Sequence, residues 1–259
     1  MLNFEVALNQ FEIFILILMR IASFVFAAPF FNISGTPQRT KVGFSFFLSV
    51  LVYSLHMDMA VSYNGVIEYA AIVLKEVAVG LLLGAVTSFC VQIIMFSGKI
   101  IDMDIGIAMA QIYDPTTHMQ VGIMGNFYYY MLMLLLIVSG LHRYLTAAIV
   151  ETYNVIPVGG VKFSTTIYTD ILGFISDYFV IGFRIAIPVF AAMLLLNCIL
   201  AILAKVSPQM NMFVIGMQIK VFAGLALLTI VMSLFPGVVD FLFEEMQLLT
   251  KYLMESMIA

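Results

Sequence analysis

The stretch that decides the fold runs from Ser97 to Pro115 and reads SGKIIDMDIGIAMAQIYDP. It follows about twenty apolar residues and precedes another apolar run. It carries one Lys, three Asp, two Gly and two Met, so it is too polar for an ordinary membrane span and too apolar for an ordinary loop. Three interpretations remain open at this point: a loop between membrane helices, a charged part of a span, or a segment inside a pore.

The composition of the whole chain places it in a membrane. Its 259 residues are 63% hydrophobic and 10% charged, with a mean hydropathy of +1.11. Soluble domains carry about 25% charged residues and about 45–50% apolar ones. The chain therefore lies in or against a bilayer, or inside an equally apolar assembly. The net charge of -4 is spread thinly and no basic run occurs, which argues against nucleic-acid binding.

The apolar residues fall into about six segments, which predicts an all-α membrane protein. The segments cover residues 11–31, 42–55, 66–96, 123–150, 178–204 and 213–235. A span needs about twenty apolar residues, so the second segment is short. A single helix over 66–111 would be about 70 Å long, more than twice the hydrocarbon core of about 30 Å. We therefore expect this helix to break or leave the membrane plane, with the break near Ser97–Gly98 and the end at Asp114–Pro115.

Small and polar residues recur every four positions along this long segment. The first series is Glu76, Gly80, Gly84, Ser88 and Gln92, and the second is Gly98, Asp102, Gly106 and Ala110. Residues four apart share one helix face, and small residues there allow neighbouring backbones to approach closely. The spacing predicts a helix-packing face that includes Glu76, Gly80, Gly84, Gly98 and Asp102.

Three cations lie inside apolar segments, namely Arg20, Arg184 and Lys220. An Arg or Lys at the centre of a span costs about 2.5–3.5 kcal/mol on insertion scales, so such residues usually face protein or water. We expect buried charges that pair with carboxylates or helix ends. A position along a water-filled path is the alternative.

Catalytic and metal-binding patterns are missing from the sequence. No HExxH or GxSxG motif occurs, the three His residues are far apart, and Cys90 and Cys198 each sit in an apolar run. We therefore expect that the protein is not an enzyme and that it binds no cofactor and no metal. We also expect both thiols to be buried. A secondary transporter is a rival class, but it predicts an internal repeat with paired helix breaks. Pro29 and Pro188 lie near intramembrane Arg residues, without a convincing repeat around them.

Two features follow the fifth segment. Pro208, Gln209 and Asn211 lie between the fifth and sixth segments, where Pro ends a helix and Asn suits a turn, so they predict a hairpin tip. A direct role in substrate binding is the alternative. The last residues predict an amphipathic helix, either at the bilayer surface or packed on a partner. Its apolar positions are Val238, Leu242, Met246, Leu249, Leu253 and Met257.

The motif KVSPQMNMFVIGMQIK, Lys205 to Lys220, resembles the Pro-Gln-x-Asn signature of the FliR family of flagellar type III export components. The resemblance covers nearly the whole chain. Further matching positions are Arg20, Pro29, Gly35, Thr36, Pro37, Arg39, Lys41, Glu76, Gly80, Gly84, Gly98, Asp102, Gly106, Asp114, Pro115, Gly140, His142, Pro157 and Gly159. One departure is Leu141, where many members are expected to have Gly.

The resemblance implies a non-enzymatic subunit of a protein export gate in the bacterial inner membrane, at the flagellar basal body. Implied partners are P-type and Q-type gate subunits, a B-type switch subunit, other export-apparatus and basal-body proteins, and unfolded protein substrates. The subunits of such a gate form bent helical hairpins, and much of the gate sits above the bilayer plane. The equivalent subunit of a virulence injectisome is the alternative.

The resemblance also divides the chain into regions. Residues 1–259 form one export-gate domain, with P-type-like hairpins over 1–165 and a Q-type-like hairpin plus the amphipathic helix over 166–259. A middle loop at about 105–122 is implied to lie in the pore and help close it. Its implied plug residues are Gly106, Ile107, Met109, Ile112, Tyr113, Asp114 and Pro115. Lys99, Asp102 and Asp104 are expected to make contacts within the assembly, and a proton path through either Asp is the alternative.

Overall fold

The computed structural model describes residues 2–31, 36–55, 61–107, 122–164, 167–209 and 211–258. Within these ranges the elements are helical. They are α1 (Leu2–Ala27), α2 (Gln38–Leu55), α3 (Val66–Ile105), α4 (Ile123–Val138), α5 (Leu141–Val155), α6 (Ile167–Val206), α7 (Met212–Val231), a 3-10 turn (Met232–Leu234) and α8 (Phe235–Ser256).

Four stretches of helix are long and apolar enough to cross a membrane. They are Leu8–Ala27, Val66–Ile105, Ile167–Val206 and Val214–Ser256, and α4 with α5 make a fifth if they form one broken span. The all-α membrane fold is thus confirmed, with fewer spans than apolar segments. Helix α2 does not qualify as a span. It has 18 residues and carries Lys41, Ser45 and Ser49 on its buried face.

The predicted break at Ser97–Gly98 is wrong. Helix α3 runs without interruption through its 40 residues, which corresponds to about 60 Å. It ends at Ile105, and Gly106 follows with φ 89°, a left-handed conformation that glycine adopts without strain. Gly98 instead allows α3 to pack closely against the start of α4. The predicted end at Asp114–Pro115 lies outside the described residues.

The amphipathic tail is continuous with the preceding span. Helices α7 and α8 are joined by the 3-10 turn, and together they make the 43-residue span Val214–Ser256. Pro236 does not interrupt the path because it lies in the first turn of α8, where a missing N–H costs little. Most apolar residues of the predicted face are buried, but Leu249 is only half-buried, and Val239 is buried where Val238 was expected. The buried set is Val239, Leu242, Met246, Leu253 and Met257.

The contacts divide the chain into two compact units. The first comprises Met1–Cys90, Ser139–Gly173 and Glu244–Ala259, and the second comprises Val91–Val138 and Phe174–Phe243. Both units are discontinuous in sequence, and three helices continue from one into the other. This partition by contacts differs from the division at residue 165 that the resemblance implies. That division stays a prediction.

The first unit is built around α1 and the first half of α3. Its core includes Leu16, Ile17, Ile21, Val79 and Leu83, all nearly inaccessible. The two helices approach closely because Gly80 and Gly84 face α1. A Cβ at Gly80 would overlap the Arg20 carbonyl oxygen and Ser23 Oγ, and one at Gly84 would lie 2.6 Å from Ala27 Cβ.

The loop after α5 and the end of the chain also belong to the first unit. The amide of Lys162 donates to the carbonyl of Met257 over 3.1 Å, and Ser164 donates to Ser256 over 3.2 Å. The loop is thereby fixed to the last turn of α8. In the part of α8 that belongs to this unit, Met246, Leu253 and Met257 are buried inside the chain, so the chain itself covers this part of the apolar face.

The second unit packs α4 and most of α6 and α7 around the last part of α3. Its buried residues include Ile94 and Ile101 of α3, Leu132 of α4, and Val189 and Met193 of α6. Much of α6 remains exposed and apolar, with Leu195 and Ile202 more than 60% accessible. Cys198 lies on this exposed side of α6, so its predicted burial is wrong, whereas Cys90 is buried.

Substituting Gly80 by Ala tests the close approach of α1 and α3. The added methyl group would overlap backbone of α1, which cannot move without separating the helices, so we expect a loss of about 1–3 kcal/mol of stability. The measurement is the thermal unfolding midpoint of detergent-extracted protein. Gly43→Ala in α2 is the matched control, since a Cβ there meets nothing within 4 Å. Equal midpoints for the two variants would contradict the packing role of Gly80.

Candidate functional site

An ion pair between Arg20 of α1 and Glu76 of α3 lies at the centre of the first unit. Arg20 Nε is 2.5 Å from Glu76 Oε2, and both side chains are fully inaccessible. Glu76 is one turn from Gly80, so the same face that lets α3 approach α1 also carries the carboxylate to the guanidinium. The two members of the pair are thus positioned by the packing of two helices.

Backbone groups at the end of α5 complete this cluster. Arg20 Nη1 donates to the Ile156 carbonyl over 3.0 Å and lies 3.4 Å from the carbonyl and hydroxyl oxygens of Thr152. On the carboxylate side, the Gly159 amide donates to Glu76 Oε1 over 2.8 Å. Gly159 has φ 76°, which suits glycine and turns its amide toward the carboxylate. The pair therefore joins α1, α3, the end of α5 and the loop that follows.

Tyr153 covers the guanidinium from one side. Its ring centroid lies 4.4 Å from Arg20 Cζ, within the range of a cation–π contact. Its hydroxyl donates to the Ile17 carbonyl over 3.0 Å. One guanidinium nitrogen, Nη2, is buried without a hydrogen-bond partner among the described residues. The charged groups of this cluster bind each other and the protein's own backbone. The cluster thereby holds α1, α3 and the end of α5 together.

A second polar junction lies in the second unit, between the end of α3 and the start of α4. Both carboxylate oxygens of Asp102 lie 3.1 Å from the amide nitrogen of Met124, the second residue of α4. The first amides of a helix have no partner within the helix and favour negative charge. Asp102 therefore caps α4 from a neighbouring helix, although it is 22 residues away in sequence.

Glycines make room for this cap. A Cβ on Gly98 would lie 2.6 Å from the Gly125 amide nitrogen, so the backbones of α3 and α4 touch at this level. A Cβ on Gly122 would overlap the Asp102 carboxylate. Gly98 and Asp102 are one helical turn apart, so this part of the second four-residue series is a packing and capping face.

The predicted plug residues lie mainly beyond what the structure describes. Gly106 and Ile107 are described, and Gly106 ends α3. Met109, Ile112, Tyr113, Asp114 and Pro115 lie outside the described residues. The proposed loop at about 105–122 therefore begins at a described helix end and returns at a described helix start, the start capped by Asp102.

The structure differs from expectation at Arg184. This side chain is exposed on α6, and within the described residues no Asp or Glu forms an ion pair with it. Its burial was predicted because it lies in an apolar segment, but that face of α6 is not covered by this chain. Lys220 of α7 is half-buried and interacts electrostatically with Asp104.

The predicted hairpin tip lies between α6 and α7. Pro208 and Gln209 form an exposed turn after the end of α6. Asn211 is exposed and precedes the first residue of α7, and its side chain makes no capping hydrogen bond.

Several residues of the two junctions could not be assigned from the sequence. The amides of Gly159 and Met124 and the carbonyl of Ile156 act through backbone, which every residue type carries. Tyr153 does leave a signal, because it lies on the buried stripe of α5 with Leu145 and Ile149. Within the described ranges, no group of three or more His, Cys, Asp or Glu side chains could hold a metal ion.

Long apolar helices joined by buried polar junctions define an α-helical integral membrane protein. Residues 11–246 match the family described as bacterial export proteins, family 1. The chain therefore belongs to this family, and the resemblance seen in the sequence is confirmed.

Relatives of the chain include proteins named flagellar biosynthetic protein FliR from several bacteria. The chain is 29% identical to the one from Bacillus subtilis (strain 168) over 244 residues, which is 92% of either chain. It is 25% identical to the one from Aquifex aeolicus (strain VF5) over 237 residues, again 92% of either chain. It is 23% identical to the one from Escherichia coli (strain K12) over 230 residues, 88% of this chain and 87% of that relative.

Replacing Asp102 tests the cap on α4. Asp102→Leu removes the acceptor for the Met124 amide, and lost caps cost about 0.5–2 kcal/mol. We expect hydrogen exchange of the amides at residues 122–126 to quicken by roughly 2- to 30-fold, with a smaller change for Asp102→Asn, which keeps one acceptor. Asp177→Asn, an exposed acid on α6, is the control. Unchanged exchange in Asp102→Leu would show that the cap does not hold this helix start.

Proposed function

We propose that this chain is a non-enzymatic subunit of the flagellar type III protein export gate, where it helps to form and close the channel for unfolded flagellar proteins. The observation that carries the proposal is the family match over residues 11–246. The relatives named for flagellar biosynthesis favour flagellar service over a virulence injectisome.

The contacts of the buried charged side chains support a structural role for them. Arg20 and Glu76 bind each other and nearby backbone groups, and Asp102 binds a helix start. Reaction chemistry or proton transfer would need groups left accessible to substrate or water. These charges instead hold helices at fixed positions, as a channel wall requires.

The exposed apolar surface supports assembly into a larger complex. Helix α6 and the α7–α8 span bury only 22% and 17% of their most apolar windows within the chain. Such surfaces must meet lipid or other subunits. We propose P-type and Q-type gate subunits and a B-type switch subunit as neighbours, with other export-apparatus and basal-body proteins around them. The proposed site is the bacterial inner membrane at the flagellar basal body.

The loop at about 105–122 is proposed as the closing element of the channel. Two fixed points bracket it: the glycine end of α3 at Gly106 and the Asp102-capped start of α4. Met109 and Tyr113 would contribute to an apolar constriction, which blocks ions by excluding water. The rigid ends would let the loop rearrange for a passing chain while the helices stay in place.

Replacing large side chains of the proposed plug with Gly should make the resting gate leak ions. Replacing Met109 and Tyr113 together with Gly removes two large side chains, so water and ions should enter the constriction. The measurement is ion conductance of the co-expressed gate complex in planar bilayers, where we expect a clear rise over the wild type. Ile67→Ala, at an exposed apolar position of α3, is the control. Wild-type conductance in the Gly variant, with the complex assembled, would refute the plug assignment.

A further inference from the structure

A groove in the first unit runs between α5 and the last turns of α8. It has a volume of about 510 Å³. Helix α5 contributes Tyr144, Glu151 and Val155 to its lining, and the other lining residues lie on α8 between Glu244 and Glu255. All of them belong to the first unit, so the groove is a feature of one compact part of the chain. We name it the α5–α8 groove.

Each of the two helices presents one face to the groove. Both faces use the same spacing, in which the second and third residues follow the first by 7 and 11 positions: Tyr144, Glu151 and Val155 on α5, and Glu244, Lys251 and Glu255 on α8. Residues at this spacing share a helix face because 7 and 11 are close to whole numbers of turns. Eleven residues span about 16 Å of helix. The groove therefore offers room along its length for about three turns of a further helix.

The charges of the groove are mainly acidic and are unpaired within this chain. Glu151, Glu244, Lys251 and Glu255 are all exposed, and none of them forms an ion pair within the described residues. Three Glu against one Lys leave a net charge of −2 in the groove. A surface of this sign attracts cationic groups and repels phosphate. Its complement is a positively charged segment, and an anionic lipid headgroup does not fit it.

Apolar side chains lie among these charges. They are Val155, Leu248 and Met254. Met254 is buried, whereas Leu248 is 64% exposed although it lines a groove. An occupant that covers Leu248 and also neutralises the acids must carry apolar and cationic side chains on the same surface. Amphipathic helices bind grooves in this way, with apolar anchors at steps of three, four and seven residues.

The charge distribution along α8 places the groove outside the hydrocarbon of the bilayer. Residues 221–239 carry no Asp, Glu, Lys or Arg, whereas residues 240–255 carry five. Charged side chains in hydrocarbon are costly, so this end of α8 faces water or protein. Its apolar face is already covered by the chain itself through Met246, Leu253 and Met257. The charged face that lines the groove is the one left for a partner.

We propose that the α5–α8 groove binds a cationic amphipathic helix of another protein of the export apparatus, a proposal that rests on the export-gate function. Lys or Arg side chains of the partner pair with Glu244 and Glu255, an acid meets Lys251, and apolar residues cover Leu248. The two cations stand about eleven residues apart, because the two Glu do. The family match ends at residue 246, so it does not reach most of the α8 side of the groove.

Paired substitutions test the charge complementarity. Glu244→Gln with Glu255→Gln removes two negative charges from the groove and keeps the size of both side chains. Asp177→Asn with Asp240→Asn is the matched control, since it removes two exposed acids that do not line the groove. All four side chains are exposed, so both double variants should fold as the wild type does.

The experiment places a photo-reactive residue at position 248 of the full-length chain, in cells that build the export apparatus. After irradiation, the assembled complex is isolated and the cross-linked peptide is identified by mass spectrometry. We expect one partner peptide with Lys or Arg on one helical face. The yield of this cross-link should fall roughly 2- to 30-fold in the Gln variant, as expected for two exposed ion pairs, and stay unchanged in the control. No cross-link, a cross-link to lipid alone, an acidic or uncharged peptide, or equal yields in both double variants would overturn the proposal.

Reversing the charges on both sides gives a second, independent test. Glu244→Lys with Glu255→Lys should abolish the cross-link from position 248, and replacing the two identified cations of the partner with Glu should restore it. A cross-link that the reversed pair does not restore would count against charge pairing in the groove. Failure of the export-gate function gives a different result, because a strain without this chain would then still export flagellar proteins.

Discussion

The buried pair of Arg20 and Glu76 is the interaction on which the first unit depends. Both side chains are fully inaccessible to solvent, so each charge must be satisfied by the protein. The pair meets this need with the Ile156 carbonyl and the Gly159 amide, and thereby fixes α1, α3 and the end of α5 together. Glycine at position 80 is required by the same contact, since a side chain there would hold the helices apart.

The second unit solves a related problem at its own junction. The start of α4 has unpaired amides, and Asp102 supplies an acceptor from α3. Gly98 and Gly125 bring the two backbones into contact at that level. Both units thus contain the same arrangement. Small residues allow two helices to approach closely, and a carboxylate on one element accepts a hydrogen bond from a backbone amide of another. A channel component built this way keeps its wall rigid up to the points where the proposed closing loop begins and ends.

Hydropathy predicted the helical membrane fold, because it acts locally, and the resemblance at Pro208, Gln209 and Asn211 predicted the family. The sequence also singled out Arg20 and Glu76, although their pairing joins residues 56 positions apart. The predicted break at Ser97–Gly98 is wrong. It rested on the assumption that a helix must not be longer than the bilayer is thick, whereas α3 is one helix of 40 residues. Burial of Arg184 and Cys198 failed because an apolar segment does not reveal which of its faces the chain covers. The backbone partners of Glu76 and Asp102 carry no sequence signal at all.

The central claim is that buried charges in this family member hold structure and carry no part of the transport chemistry. A double-mutant cycle on Arg20→Met and Glu76→Gln tests it, with exported flagellar substrate measured per folded chain. Each single variant should lose about 3–5 kcal/mol of stability, because it strands one buried partner. The double variant, with both charges removed, should regain much of that loss and export substrate at the wild-type rate per folded chain. A folded double variant that exports nothing would contradict the account.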